Sequence, residues 1–122
     1  RDKSKRGYEY NGSGSKRIKW VIGCRSYPIL DSRVIAKTKN YKKKKNRWKK
    51  YRTSCDARIA STTYDKDCDN GDYEVEDNPK DKKKKTKAKI PYGTHVIKIK
   101  SGETESYHIG AGGITFQYTL EW

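Results

Sequence analysis

The stretch RIKWVIGCRSY, residues 17–27, sets Ile18, Trp20 and Ile22 at alternate positions and gives the chain between them to charged or small side chains. That period of two places three apolar groups on one side of an extended backbone, the pattern of a half-buried β-strand. Pro28 ends it, because proline donates no ladder hydrogen bond. A second strand follows at about residues 33–38, and a third covers residues 55–64. A short one fits at residues 73–76. Residues 95–100, 103–109 and 114–122 read as a three-stranded meander, turned first by Ser101-Gly102 and then by the glycine-rich joint at 110–113.

Composition agrees with a β fold. Ile and Val outnumber the two leucines, Leu30 and Leu120, and the chain has 10 Tyr and 3 Trp. Branched and aromatic side chains pack well on a pleated surface and are mediocre helix formers. Leu, Ile, Val and Phe together make only 17 of 122 residues, and the net charge is +15. Such values border on those of disordered chains, and the aromatic residues supply the missing apolar area. The expected architecture is a single all-β domain over residues 17–122, an antiparallel β-sandwich or open barrel of six to eight strands with long lysine-rich loops. Residues 1–16 are expected to be a flexible basic lead. No run is long and apolar enough for a membrane-spanning helix.

Function is most legible in two basic stretches. Residues 37–52 hold ten cations and no acid, among them Lys42, Lys43, Lys44, Lys45, Arg47, Lys49, Lys50 and Arg52, with Tyr41, Trp48 and Tyr51 interleaved. Residues 80–89 hold seven lysines, including Lys82, Lys83, Lys84 and Lys85. Lysines that neutralise a phosphate or sulfate polymer release its condensed counterions, and aromatic rings stack on bases or sugar faces. The expected partner is therefore a polyanion: an anionic cell envelope, a glycan or a nucleic acid. Solubility alone needs fewer charges than these.

Three smaller constellations carry other chemistry. Asp65, Asp67, Asp69 and Glu76 occupy the first, third, fifth and twelfth positions of a calcium loop. The turn glycine is displaced to Gly71 and no flanking helices are expected, so an acidic loop that offsets a neighbouring lysine run is the competing interpretation. With Ser101-Gly102 as a hairpin loop, Lys98 opposes Glu105 and His95 opposes His108. A facing histidine pair suits the general acid–base chemistry of a metal-independent ribonuclease. It also suits plain packing, because Glu103 and Glu105 fall on the opposite face. Cys55 and Cys68 are placed to staple a hairpin in an oxidising compartment, with Cys24 left over; three reduced thiols are the alternative. No cofactor other than calcium is implied.

Trp20-x-x-Gly23, Ser26-Tyr27, Ser32-x-Val34, Trp48, Ala57-x-x-Ala60 and Asn70-Gly71-x-Tyr73 loosely resemble the run of positions in lactococcin-type small all-β bacteriocins, over residues 20–76. A histidine expected near Asp31 is missing. The resemblance implies a secreted antimicrobial or toxin-like effector acting on an anionic envelope, and a cleaved signal peptide would leave a chain that starts as this one does. The competing expectation is a cytoplasmic, ribosome-associated RNA-binding protein. A Cys55–Cys68 disulfide favours the first and free thiols favour the second.

Overall fold

The computed structural model describes residues 2–27, 31–64, 70–91 and 102–121. They form nine strands in two antiparallel sheets, stacked as an open sandwich. The larger sheet contains β1 (Asp2–Tyr10), β2 (Lys16–Tyr27), β3 (Asp31–Lys44), β4 (Arg47–Lys50) and β7 (Lys85–Pro91). The smaller contains β5 (Asp56–Tyr64), β6 (Asn70–Asp77), β8 (Gly102–Gly110) and β9 (Ile114–Glu121), in the order β6-β5-β8-β9. In the larger sheet β3 pairs with β2 along one edge, and its other edge is shared between β7 and β4.

Alternation sets the core. Ile18, Trp20, Ile22 and Cys24 of β2 point inward beside Val34, Ala36, Thr38 and Asn40 of β3. Ala57, Ile59 and Ser61 of β5, Thr104, Ser106 and His108 of β8, and Leu120 of β9 face them. Trp20 is the largest piece, stacked on Phe116 at 4.5 Å and on Tyr118 at 5.1 Å between ring centroids. Gly7 lies opposite Trp20 on β1, and a Cβ there would come within 2.7 Å of the indole. The shortage of aliphatic residues is met by small polar ones that bond to one another. Ser61 and Thr104 hydroxyls meet at 2.9 Å, and the Cys24 thiol reaches Thr104 at 3.8 Å. Burying a hydroxyl is tolerable only with such partners.

Asn40 ties the two sheets together at one end. Its Oδ1 accepts from the Ala111 amide at 3.0 Å, and its Nδ2 donates to the Lys83 carbonyl at 3.1 Å. Its backbone amide donates to the Lys84 carbonyl and its carbonyl accepts from the Tyr51 amide. Gly110 permits this approach, since a Cβ there would lie 2.3 Å from Asn40 Oδ1 and 2.6 Å from Ile18 Cγ2.

Three expectations need correction. Residues 2–10 are not a loose lead: they form edge strand β1 on β2, closed by a turn in which Lys16 N donates to Asn11 Oδ1 and Gly14 takes a φ of 74°. The lysine-rich segments are largely strand rather than loop. Lys45 and Asn46, at φ 51° and 63°, turn the tight β3–β4 hairpin, and Lys85 to Lys89 lie in β7. Finally, β8 has β5 on one edge and β9 on the other, so His108 opposes Ala57 and Phe116 in place of the expected His95, which lies outside the described residues. The β8–β9 turn expected at the glycine-rich joint is present.

Asn40→Ala would orphan the Ala111 amide in the interior and take one of its partners from the Lys83 carbonyl, which keeps the Thr53 amide. It should lower unfolding free energy by roughly 3 kcal/mol in urea titrations; a loss under about 0.5 kcal/mol would mean that Asn40 is not the tie described.

Candidate polyanion-binding face

The outward residues of the larger sheet follow from its registers, because directly opposed residues share a face. Lys19, Lys39 and Lys85 line up across β2, β3 and β7, and Lys37 opposes Lys87 one step along. Ile35 opposes Lys89 beyond that. Arg6 faces out across β1 opposite Val21, and Lys50 of β4 opposes Tyr41. The two basic stretches of the sequence thus merge into one surface, which neither stretch makes alone. A cavity of about 160 Å³ opens where they meet, lined by Lys39, Tyr41, Lys50, Lys84 and Lys85.

Like charges directly opposed across a sheet are destabilising. Lys37 is held below the usual lysine range by partial burial, and then by the cations of Lys87, Lys39, Lys85 and Arg33. Lys39 is lowered the same way, by burial and by Lys19, Lys85 and Lys50. The face concentrates positive charge at a cost to the fold.

At one corner the cations give way to rings. Arg17 of β2 sits among Tyr8 and Tyr10 of β1, Tyr41 of β3 and Trp48 of β4. Its guanidinium carbon is 4.1 Å from the Tyr8 ring centroid and 4.3 Å from that of Trp48, with Tyr41 at 5.4 Å and Tyr10 at 6.0 Å. Tyr8 and Tyr10 are 42% and 52% exposed. A platform of rings beside a field of lysines offers stacking surfaces and phosphate contacts together.

The opposite face of the molecule is acidic. Asp56, Glu74, Glu76, Glu103, Glu105 and Glu121 face outward from the smaller sheet, with Arg58 among them. Arg58 pairs with Glu76 at 3.4 Å. Burial and a hydrogen bond to Glu76 push the Asp56 carboxyl up to about 6, while that bond and Arg58 hold Glu76 below the usual carboxylate range. A polyanion meets repulsion here and attraction on the other side.

The expected binding residues divide between these surroundings. Lys43, Trp48 and Lys50 lie on the cationic face, while the strand pleat turns Lys42, Lys44, Arg47 and Lys49 to its reverse. Lys42 and Lys16 there flank the Tyr51 ring at 5.1 Å and 5.3 Å. Lys45 is in the hairpin turn, Arg52 is exposed beyond β4, and Lys82, Lys83 and Lys84 lead into β7. The basic runs leave out Tyr8, Tyr10, Arg17 and Lys19. Their signal was alternation: Arg17 and Lys19 occupy the polar side of the strand whose apolar side is Ile18 and Trp20.

The other candidates fare as follows. Asp65, Asp67 and Asp69 lie outside the described residues, and Glu76, six positions into β6, is committed to Arg58 and Asp56. Among the described residues no group of acids, histidines or cysteines is arranged to hold a metal. Cys68 also lies outside them; Cys55 carries a free, buried thiol near the Lys83 carbonyl, so the expected Cys55–Cys68 staple is not made. Cys55 precedes β5, whereas Cys68 follows that strand's far end in the chain, where Tyr64 pairs with Asn70. Burial raises the Cys24 thiol to about 11, which makes it inert.

His95 is outside the described residues, and His108 is 1% exposed. The Thr38 hydroxyl donates to the Asp56 carbonyl, so His108 Nδ1, 2.9 Å from that hydroxyl, is the protonated nitrogen. Nε2 then accepts from Ser106 at 2.9 Å. Burial drives the ring's pKa down to about 4. A neutral, sealed imidazole is a core group, unsuited to acid–base exchange with a substrate.

No known protein family matches the chain, nor does any curated protein sequence or solved structure. The bacteriocin resemblance gains no support from them. Trp20, Val34 and Ala57, three of the positions that carry it, are simply core residues of the sandwich.

Two outcomes follow. Below pH 6.5 an unfolded His108 takes up a proton that the folded one refuses, so stability is lost as pH falls from 6.5 toward 4. Between pH 7 and 4 the unfolding free energy of the native protein should drop by about 3 kcal/mol more than that of a His108→Gln variant; parallel curves would refute it. Lys37→Gln should raise Tm, by a gain near 0.5 kcal/mol at low salt that fades at 0.5 M. A lowered Tm would show that the lysine columns carry no repulsive cost.

Proposed function

We propose that the protein binds single-stranded nucleic acid along the outer face of its larger sheet, with lysines on the backbone and the Tyr8, Tyr10, Tyr41 and Trp48 rings against bases. The observation that carries this is the stacking of Lys on Lys across β2, β3 and β7. A sheet that sets cations directly opposite one another forgoes stability for charge density, and a polyanion restores the balance.

The aromatic corner favours nucleic acid over a sulfated or teichoic polymer, since exposed rings in line with the cations suit unstacked bases. A secreted effector on an anionic envelope would draw on the same lysines but leave that corner idle. Free Cys55, where a staple would have favoured export, supports the intracellular alternative. The acidic outer face of the smaller sheet orients the encounter and keeps binding to one side.

The test is a salt titration of a labelled single-stranded RNA with the native protein and with a variant carrying Lys37, Lys39, Lys85 and Lys87 all changed to Gln. The slope of log K against log salt should flatten by roughly 3, near 0.7 for each phosphate contact removed. An unchanged slope would place binding elsewhere. Loss of all native binding by about 0.15 M salt would return the function to envelopes and glycans.

A further inference from the structure

Resting on that reading, we infer that Arg17 makes the face selective, by taking one guanine base in the aromatic corner. The lysines cannot do this. An ammonium is a point charge that satisfies any phosphate, whereas a guanidinium is a planar fork that matches the O6 and N7 acceptors of guanine. Arg17 is the fork that the fold has immobilised. The Tyr8 and Trp48 rings lie close to its guanidinium, with Tyr41 and Tyr10 completing the surround.

Rings hold a guanidinium in place without using its edge. Among the described residues the one hydrogen bond Arg17 makes is from Nη1 to the Tyr10 hydroxyl, at 3.4 Å. That is at the outer limit of a useful bond. Among those residues its Nε has no acceptor, although it is shielded from solvent. Glu9, the nearest acid in the chain, is on the other side of β1, because Tyr8 and Tyr10 take the outer positions. An arginine oriented by stacking and left with unspent terminal donors awaits a planar acceptor pair from outside. The exposed Tyr10 ring beside it supplies the stack for the base that carries that pair.

Lysine and arginine then divide the work by position. The rows Lys19–Lys39–Lys85 and Lys37–Lys87 follow the backbone without regard to sequence, and the row Tyr10–Arg17–Tyr41 reads one base.

Three labelled 12-mers test this by fluorescence anisotropy at fixed salt: oligouridylate, the same with one central guanosine, and the same with 7-deazaguanosine at that position. The guanosine 12-mer should bind about tenfold tighter than oligouridylate, and 7-deazaguanosine, which keeps the ring and O6 but lacks N7, should lose most of that gain. Arg17→Lys should erase the gain, so that the variant binds the guanosine 12-mer and oligouridylate alike. Because the 7-deaza comparison uses the native protein, it stands even if the variant folds poorly. Equal binding of all three oligonucleotides overturns the inference and leaves the lysine face intact as a neutral binder. A uniform loss in Arg17→Lys would make Arg17 another phosphate contact and overturns it too. No salt-dependent binding of oligouridylate would remove the nucleic-acid reading itself, and this inference with it.

Discussion

The strict alternation of β3 is the constraint on which the rest depends. Val34, Ala36, Thr38 and Asn40 fill the inside of the sandwich, and Arg33, Ile35, Lys37, Lys39 and Tyr41 make its outside. Every inward residue is small, so the second sheet comes close enough for hydroxyls to bond across the interface. Thr38 reaches both Asp56 and His108, and Asn40 reaches Ala111 and Lys83. A strand with larger inward side chains would hold the sheets apart and break these bonds. The apolar poverty of the chain is thus solved by hydrogen bonding at short range, at the expense of tolerance: each buried hydroxyl depends on a particular partner.

The same strand creates the cationic surface. Both of its edges are occupied, by β2 on one side and by β7 and then β4 on the other. Since the pleat is shared, its outward cations fall into line with those of its neighbours. Energy that burial supplies on one side of the sheet supports repulsion on the other. The depressed lysines at positions 37 and 39 express that tension directly. Charge segregation completes the design, with acids on the outer face of the smaller sheet.

Arg17 and Trp20, three residues apart on β2, illustrate how one strand serves both roles. Trp20 is buried against Phe116 and Tyr118, and Arg17 is ringed by exposed aromatics on the other side. Exchange of their environments by a one-residue slip would bury a charge and expose the core's largest ring, so the register is firmly held. This is why the aromatic corner can be a rigid site although it lies near the sheet's edge.

Several features were determined by the sequence itself. The period of two at Ile18, Trp20 and Ile22, the poverty in leucine and the turn residues at 110–113 specify an antiparallel β fold, because they depend on neighbours along the chain. The abundance of lysine specifies a strongly positive net charge, because net charge needs no geometry. What only the tertiary structure decided is which strands lie side by side. Turn residues at 101–102 suggest that His108 faces His95, whereas the ladders of β8 set it between Ala57 of β5 and Phe116 of β9. No local rule would pair Lys37 with Lys87 or Lys39 with Lys85, since opposed like charges count against such a register. Their pairing is settled from the inside of the sandwich, where Ala36 meets Ala88 and Thr38 meets Thr86 in a space that only small residues fit. The core chose the register, and the cationic face is its consequence.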